Sequence, residues 1–410
     1  MKKFIILLFL LLTHANFELM AQPVWIVQPT GVTDFLWNAH FVDVNTGYAV
    51  GSNARILKTT NSGSVWFPQA STASVSFIGV DFINAQTGWI AGHSGRILRT
   101  TDGGTIWSIQ YNNPNIGDCF FVNAKSFNAV WINTGAGVLF SSDGGTNWNF
   151  QNGLVSWSLN FLNVNYGWLG ELGGNQYRTT NSGVTWQLTQ NINNYYAVWL
   201  NFVNPNLGWS VGYDSRIYKS TNGGVNWQPQ VSGVPTQQQL RCVQFPDSIG
   251  INGWVVGFGN TFIRTTNGGI NWISQTHPIN TDYTYIQFVN SNTGWAVGGN
   301  GTILKTTNGG NFVGIEPINN SVPANYKLAQ NYPNPFNPST TISFAIPKSG
   351  FTKLIIYNVL GKEVEKLVSQ ELKTGAYEVD WNASNFQSGI YFYKLETNNF
   401  TETRKMILLK

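Results

Sequence analysis

Thr100-Thr101-Asp102-Gly103-Gly104-Thr105-Ile106-Trp107 is the stretch on which the reading of the fold turns. The same phrase returns as Thr59 to Trp66, Ser141 to Trp148, Thr179 to Trp186, Ser220 to Trp227 and Thr265 to Trp272. A seventh copy, Thr306 to Val313, lacks the tryptophan. Copies begin 38 to 45 residues apart, the period of an array whose units are each too small to bury an apolar face alone. The residue types suit a tight turn between strands. Asp102, or asparagine elsewhere, can accept from backbone N–H groups two residues on, and Gly104 reaches a positive φ without steric cost. The hydroxyls of Thr100 and Thr101 tie the turn to its strand, while Trp107 covers the junction with a large apolar surface. The turn set is therefore Asn61, Asp102, Asp143, Asn181, Asn222, Asn267 and Asn308, with Trp66, Trp107, Trp148, Trp186, Trp227 and Trp272.

Around each box lie short apolar segments. In the second repeat Phe77 to Ile83 reads as an inner strand, Gly88 to Gly92 as a second, Arg96 to Thr101 as a third and Thr105 to Gln110 as an outer one. Four short strands joined by tight turns form one propeller blade. The second strand recurs at Gly47-Tyr48, Gly167-Trp168, Gly208-Trp209, Gly253-Trp254 and Gly294-Trp295, whereas repeat three has Asn128-Ala129-Val130-Trp131 and is expected to be distorted. Most outer strands read Trp-x-x-Gln, and that phrase stands alone at Trp25-Ile26-Val27-Gln28. The seventh repeat lacks its tryptophan, so Trp25 and its strand are predicted to pair with Thr302 to Thr307 and close the ring, leaving no open edge. The fold class is all-β: a seven-bladed β-propeller over residues 22–313, its N-terminal strand closing blade seven. Composition agrees, with 43 Gly, 17 Trp, 16 Tyr and 26 Phe in 410 residues and only 10% charged.

The box resembles the Asp-box hairpin of the BNR-repeat proteins. The phrases Gly-Trp-x-x-Gly, Gly-x-Ile-Leu-x-Thr-Thr and Asp-Gly-Gly-x-x-Trp are similar to those of the photosystem II assembly and stability factor family across residues 23–313. This resemblance implies architecture; no residue here points to a photosystem partner.

The two ends carry different signals. Met1-Lys2-Lys3 followed by Phe4 to Leu12 reads as a secretory signal peptide, residues 1–21, cleaved between Ala21 and Gln22. No later stretch has the length of a membrane-spanning helix, so no transmembrane segment is expected in the mature chain. Residues 314–325 form a linker rich in proline and asparagine. Residues 326–410 then hold most of the lysine and glutamate, with alternating segments at Thr341 to Ile346, Lys353 to Val359, Ala376 to Trp381, Gly389 to Leu395 and Arg404 to Leu409. That pattern predicts an Ig-like β-sandwich. The phrases Asn331-Tyr332-Pro333-Asn334-Pro335-Phe336-Asn337-Pro338, Tyr357-Asn358-Val359-Leu360-Gly361, Ser388 to Tyr393 and Lys405 to Lys410 resemble the type A C-terminal sorting domain of the type IX secretion system. The resemblance implies that the type IX machinery is a partner and that the protein passes through the periplasm to the outer-membrane surface or beyond.

Chemistry is sparse. Between Gln22 and Val313 there are 11 Lys and Arg against 10 Asp and Glu, with no basic block, which gives nucleic-acid binding no support. Cys119 and Cys242 fall three blades apart, so both are expected as free thiols. His40, His93 and His277 lack ligand spacing, and no metal or cofactor is expected. A sialidase-like BNR glycosidase needs clustered arginines and paired acids, but Glu171 is the only glutamate in the repeats. Arg99, Arg178 and Arg264 share one repeat position with Lys58, Lys219 and Lys305 and read as structural. No catalytic residue is assigned; a secreted glycoside hydrolase is the alternative. Binding of an extracellular glycan or protein is the favoured use. Its candidate residues are Arg55, Arg96 and Arg216 in the turns between strands two and three, near Trp37, Trp157, Tyr196 and Tyr283, with Asp34, Asp118, Asp214 and Asp282 as loop carboxylates on the same face.

Overall fold

The computed structural model describes residues 25–171, 173–310, 322–383 and 386–409. The expected leader, its cleavage point at Ala21 and Gln22, most of the linker, and Phe312 and Val313 of the seventh box lie outside the described residues. Two compact units divide in sequence at Asn311 and Phe312.

The first unit is a seven-bladed β-propeller. Six antiparallel four-stranded sheets are each built from consecutive strands, and the seventh takes its outermost strand from the start of the chain. The inner strands are Leu36–Phe41, Phe77–Phe82, Cys119–Ser126, Ser156–Phe161, Ala197–Phe202, Leu240–Gln244 and Tyr283–Phe288. In blade two the remaining strands are Gly88–Gly92, Arg96–Thr100 and Ser108–Asn112. The outer strand thus begins after Trp107, not at Thr105. Thr100 Oγ accepts the Gly104 amide at 2.8 Å, and Asp102 accepts the Ile106 amide at 3.0 Å. Those amides are spent on the turn and cannot join the ladder. The Asp102 carboxylate therefore caps an amide four residues on rather than two. Both glycines sit at positive φ, 68° and 87°.

Two contacts recur between neighbouring blades, the first of them at six of the seven junctions. The aromatic residue of the second strand stacks on the phenylalanine ending the next blade's inner strand: Trp168 on Phe202 at 3.6 Å, Trp295 on Phe41 at 3.6 Å. Such pairs add about 0.5–1.5 kcal/mol beyond the area they bury. At four junctions the indole N–H also donates to a carbonyl of the next blade's box, as Trp89 does to Gly144 (3.0 Å) and Trp295 to Ser62 (3.1 Å), whereas those of Trp209 and Trp254 have no partner among the described residues. The cation register packs alongside. Lys58 lies over the Tyr48 ring and donates to Gly103 O at 2.6 Å, and Lys219 donates to Gly268 O at 2.9 Å.

The ring is closed at both ends of the chain. Ile26, Val27 and Gln28 pair with Lys305, Leu304 and Ile303. Trp25 is fully buried and meets Phe288 edge-on at 5.9 Å, the relation Trp66 has to Phe41 and Trp107 to Phe82. It fills the place of the missing seventh box tryptophan. Blade three keeps its four strands, but its inner strand Cys119–Ser126 carries two register breaks, between Cys119 and Val122 and between Ala124 and Ser126.

The second unit is a β-sandwich. One sheet pairs Lys327–Leu328, Ser339–Ile346 and Gly375–Asn382; the other runs Glu363–Leu372, Gly350–Asn358, Gly389–Thr397, Phe400–Leu408. Its core gathers Phe336, Ile342, Phe344, Leu354, Ile356, Tyr377, Trp381, Tyr393 and Leu408. Among the described residues, no helix is long and apolar enough to cross a membrane.

Candidate functional site

The second residue of the inner strands sits at a break in register, between Leu36 and Asn38, Phe77 and Gly79, Ser156 and Ser158, Ala197 and Trp199, Leu240 and Cys242, and Tyr283 and Tyr285. In blade three the break spans Phe120 and Phe121. A bulge turns the extra side chain away from the ladder, and here it turns it toward the axis of the ring. Six of these residues, Trp37, Ile78, Phe120, Trp157, Val198 and Arg241, line one cavity of about 180 Å³ together with Phe121, His93 and Asp118. Phe121, Trp199 and Tyr285 form an aromatic layer beneath it, with ring centroids 4.8 and 5.2 Å apart.

Beyond that layer the channel is polar. One position in each inner strand, His40, Asp81, Asn123, Asn160, Asn201, Gln244 and Gln287, contributes a side chain to a second cavity of about 160 Å³. Asp81 accepts the Ala124 amide, Asn123 the Phe161 amide, Asn160 the Phe202 amide, Asn201 the Phe245 amide and Gln287 the Phe41 amide, at 2.7 to 3.1 Å. Gln244 does the same for Phe288. At the remaining junction the Phe82 amide donates to Asp81 at 3.0 Å instead, and His40 Nδ1 meets the same carboxylate at 2.9 Å. The lower channel is therefore committed to holding blades together, and the mouth is the part left free for a ligand.

The mouth has one cation and one acid. Arg241 Nε is shielded from solvent and has no hydrogen-bond partner among the described residues. The guanidinium lies over Phe258 at 5.1 Å and Trp37 at 5.8 Å. Burial pulls its pKa below the usual arginine value, with Tyr213 and Cys242 opposing. Three blades away, Asp118 meets His93 Nδ1 at 2.8 Å and accepts the Ser94 amide at 3.0 Å. Two other acids of this face are held by neighbouring turns: Asp34 by Arg55 (2.7 Å) and Asn53 (2.9 Å), Asp282 by the Gly259 amide (2.8 Å).

The residues singled out from the sequence scatter. Trp37 and Trp157 line the mouth. Tyr196 is exposed and meets Tyr213, which in turn lies 6.2 Å from Trp157. Tyr283 is a correction: it is fully buried against Phe262 and His277, its hydroxyl donating to Ile279 O at 2.6 Å, because its strand packs between blades. Arg55 and Arg216 do not line the cavity: Arg55 meets Asp34, and Arg216 lies 3.8 Å from Asp214 and reaches Asn194 O at 3.2 Å. Arg96 likewise stands outside the lining, its Nε buried without a hydrogen-bond partner among the described residues. Arg241, Phe120 and His93 were missed. Lining up the second residue of every inner strand would have found Arg241, the one charged member of that series.

Among the described residues no group of three or more His, Cys, Asp or Glu is placed to hold a metal. Cys119 and Cys242 are free and buried, and burial pushes each thiol up to about 12.

The family described as photosynthesis system II assembly factor YCF48 matches residues 18–152 and 178–277, and the secretion system C-terminal sorting domain matches 330–409. Among solved structures, YCF48 bound to D1 peptide is 19% identical over 70% of this chain and 97% of its own, with a TM-score of 0.61. YCF48 from Cyanidioschyzon merolae is 20% identical over 69% and 98%, TM-score 0.59. The GH74 enzyme of Niastella koreensis is 16% identical over 78% of this chain and 59% of its own, TM-score 0.56. At these identities the likeness is one of fold. No curated protein sequence matches the chain.

Proposed function

Because the chain belongs to the photosynthesis system II assembly factor YCF48 family and ends in a type IX secretion sorting domain, we propose that it is a non-catalytic β-propeller that binds an extracellular glycan or protein at its channel mouth. The sorting domain marks the protein for secretion or attachment at the outer-membrane surface. A cleaved leader at residues 1–21 would deliver it to the periplasm first, and residues 326–410 would engage the type IX machinery. The repeated box, on this reading, is the Asp-box hairpin acting as a structural turn. The observation that carries the binding role is the set of bulged residues: six strands spend a register break each on one cavity, whose wall includes the rings of Trp37, Phe120, Phe121 and Trp157. A YCF48 propeller of the same fold is known bound to D1 peptide, which supports a protein segment as one class of ligand.

The alternative, a secreted glycoside hydrolase, draws support from the likeness to the GH74 enzyme. Hydrolysis by the usual route needs two carboxyl groups about 5–9.5 Å apart across the scissile bond. The mouth is lined by one, Asp118, already engaged with His93, which favours binding. The test is a screen of the full chain on glycan and protein arrays, with Trp157→Ala in parallel. Retention lost in the variant supports the reading; retention of nothing, or turnover of a glycan, overturns it. For export, deleting residues 326–410 is expected to leave the product in the periplasm.

A further inference from the structure

We propose that the mouth cavity is a subsite for a single carboxylate-bearing sugar residue, a hexuronate, with Arg241 as the carboxylate's partner; this rests on the binding reading above. The first observation is an uncompensated charge. Arg241 stands in a series whose other members at the cavity are Trp37, Ile78, Phe120, Trp157 and Val198. Among the described residues its Nε has no hydrogen-bond partner and no carboxylate forms an ion pair with it. Arg241 is half-buried, and stripping water from part of a guanidinium without a counter-charge is costly. A protein keeps such a group where an occupant brings the opposite charge.

The second observation is direction. Phe258 and Trp37 cover the guanidinium at 5.1 and 5.8 Å. A guanidinium flanked by rings keeps its N–H fork, which matches the two oxygens of a carboxylate.

The third is the rest of the cavity. Trp157 offers an indole against which the C–H face of a pyranose can lie, buttressed by Phe120 and Tyr213 at 6.3 and 6.2 Å. Across the mouth, the His93–Asp118 pair supplies polar atoms for ring hydroxyls. The volume, about 180 Å³, is smaller than the roughly 300–1,000 Å³ of pockets for drug-sized ligands and suits one ring. A neutral sugar would leave Arg241 unmatched. A simple aromatic acid would leave His93 and Asp118 unused. A uronate uses all three.

The test titrates the full chain with methyl glucuronoside, methyl glucoside and benzoate, followed by tryptophan fluorescence and ligand-observed NMR. The glucuronoside is expected to bind at least about tenfold more tightly than the glucoside, the worth of a charge-assisted hydrogen-bond pair. Arg241→Gln should erase that preference and Arg241→Lys keep part of it, because an ammonium is a point charge. Equal binding of the two glycosides by the unaltered chain overturns the proposal without any variant. So does a preference that survives Arg241→Gln, or tighter binding of benzoate than of the glucuronoside. Array retention that depends on Trp157 but shows no uronate preference sinks this inference and leaves the binding reading standing; no retention at all sinks both.

Discussion

In six blades the glycine that opens the second strand lies under the ring of the phenylalanine that ends the first. A Cβ at Gly208 would come within 2.5 Å of Phe202, and the ring cannot retreat because Trp168 stacks on it at 3.6 Å. Blade three solves the same space differently: Ala124 replaces the phenylalanine and pairs with Val130, which replaces the glycine. Gly208→Val is therefore expected to cost about 3 kcal/mol by overpacking, and Phe202→Ala in the same chain to recover part of that loss. Urea midpoints of the two single variants and the double variant give the coupling; additive losses would refute the shared-space account. His277 supplies a pH dependence. Burial holds its pKa below the usual 6.5, against the pull of the Ile279 carbonyl. The unfolded chain then takes up the proton first, so the stability His277 contributes is complete above about pH 6.5 and falls as pH drops toward the folded value. His277→Asn should narrow the gap between urea midpoints at pH 7.5 and 5.5; an unchanged gap would count against it. The Gly-aromatic pair was visible in the sequence as a repeated word. Its cause was not, since the clash is set by cross-strand register. Arg241 was hidden for a related reason: a bulge breaks the alternation by which facing is read from sequence.

At the scale of elements, the box and the closing strand do most to fix the architecture. Thr100→Val would strand the buried Gly104 amide, an expected loss of about 1–3 kcal/mol, measurable by chemical denaturation. Trp25→Ala removes a fully buried indole from between Phe262 and Phe288. About 3–5 kcal/mol should go with it, and blade seven should lose its outer strand. Hydrogen exchange at Ile303–Lys305 checks this, as those residues pair with Ile26–Gln28; unchanged protection there would contradict it. Seven repeats and the lone Trp25-Ile26-Val27-Gln28 made both features legible. The strand Glu363–Leu372 was not. Its pairing with Gly350–Asn358 shifts register between Leu354 and Ile355 and again between Ile356 and Tyr357, so its apolar residues follow no strict alternation. Outer strands were placed too early because the box amides that extend the pattern are tied up in the turn.

Taken whole, the propeller is a circle of interfaces most of which repeat one stack and one polar bridge, such as Trp295 on Phe41 and Gln287 at the Phe41 amide. An open solenoid can unravel from its caps; a circle has none. The propeller should therefore unfold in one cooperative step, with tryptophan fluorescence and far-ultraviolet circular dichroism of residues 22–313 coinciding on a denaturant axis. Separated curves would mean that blades melt singly. The circle itself could be counted from the sequence, while its mouth could not, since a cavity is made by residues from every repeat at once. One consequence concerns biogenesis. The partner of Ile26–Gln28 is Ile303–Lys305, so on the ribosome the earliest piece of the propeller to appear waits for almost the latest. Until synthesis reaches that point, six finished blades present a bare flank on either side. A nascent chain halted short of it is a natural substrate for chaperones and proteases, and the maturation time of this protein is bounded below by the time needed to translate it.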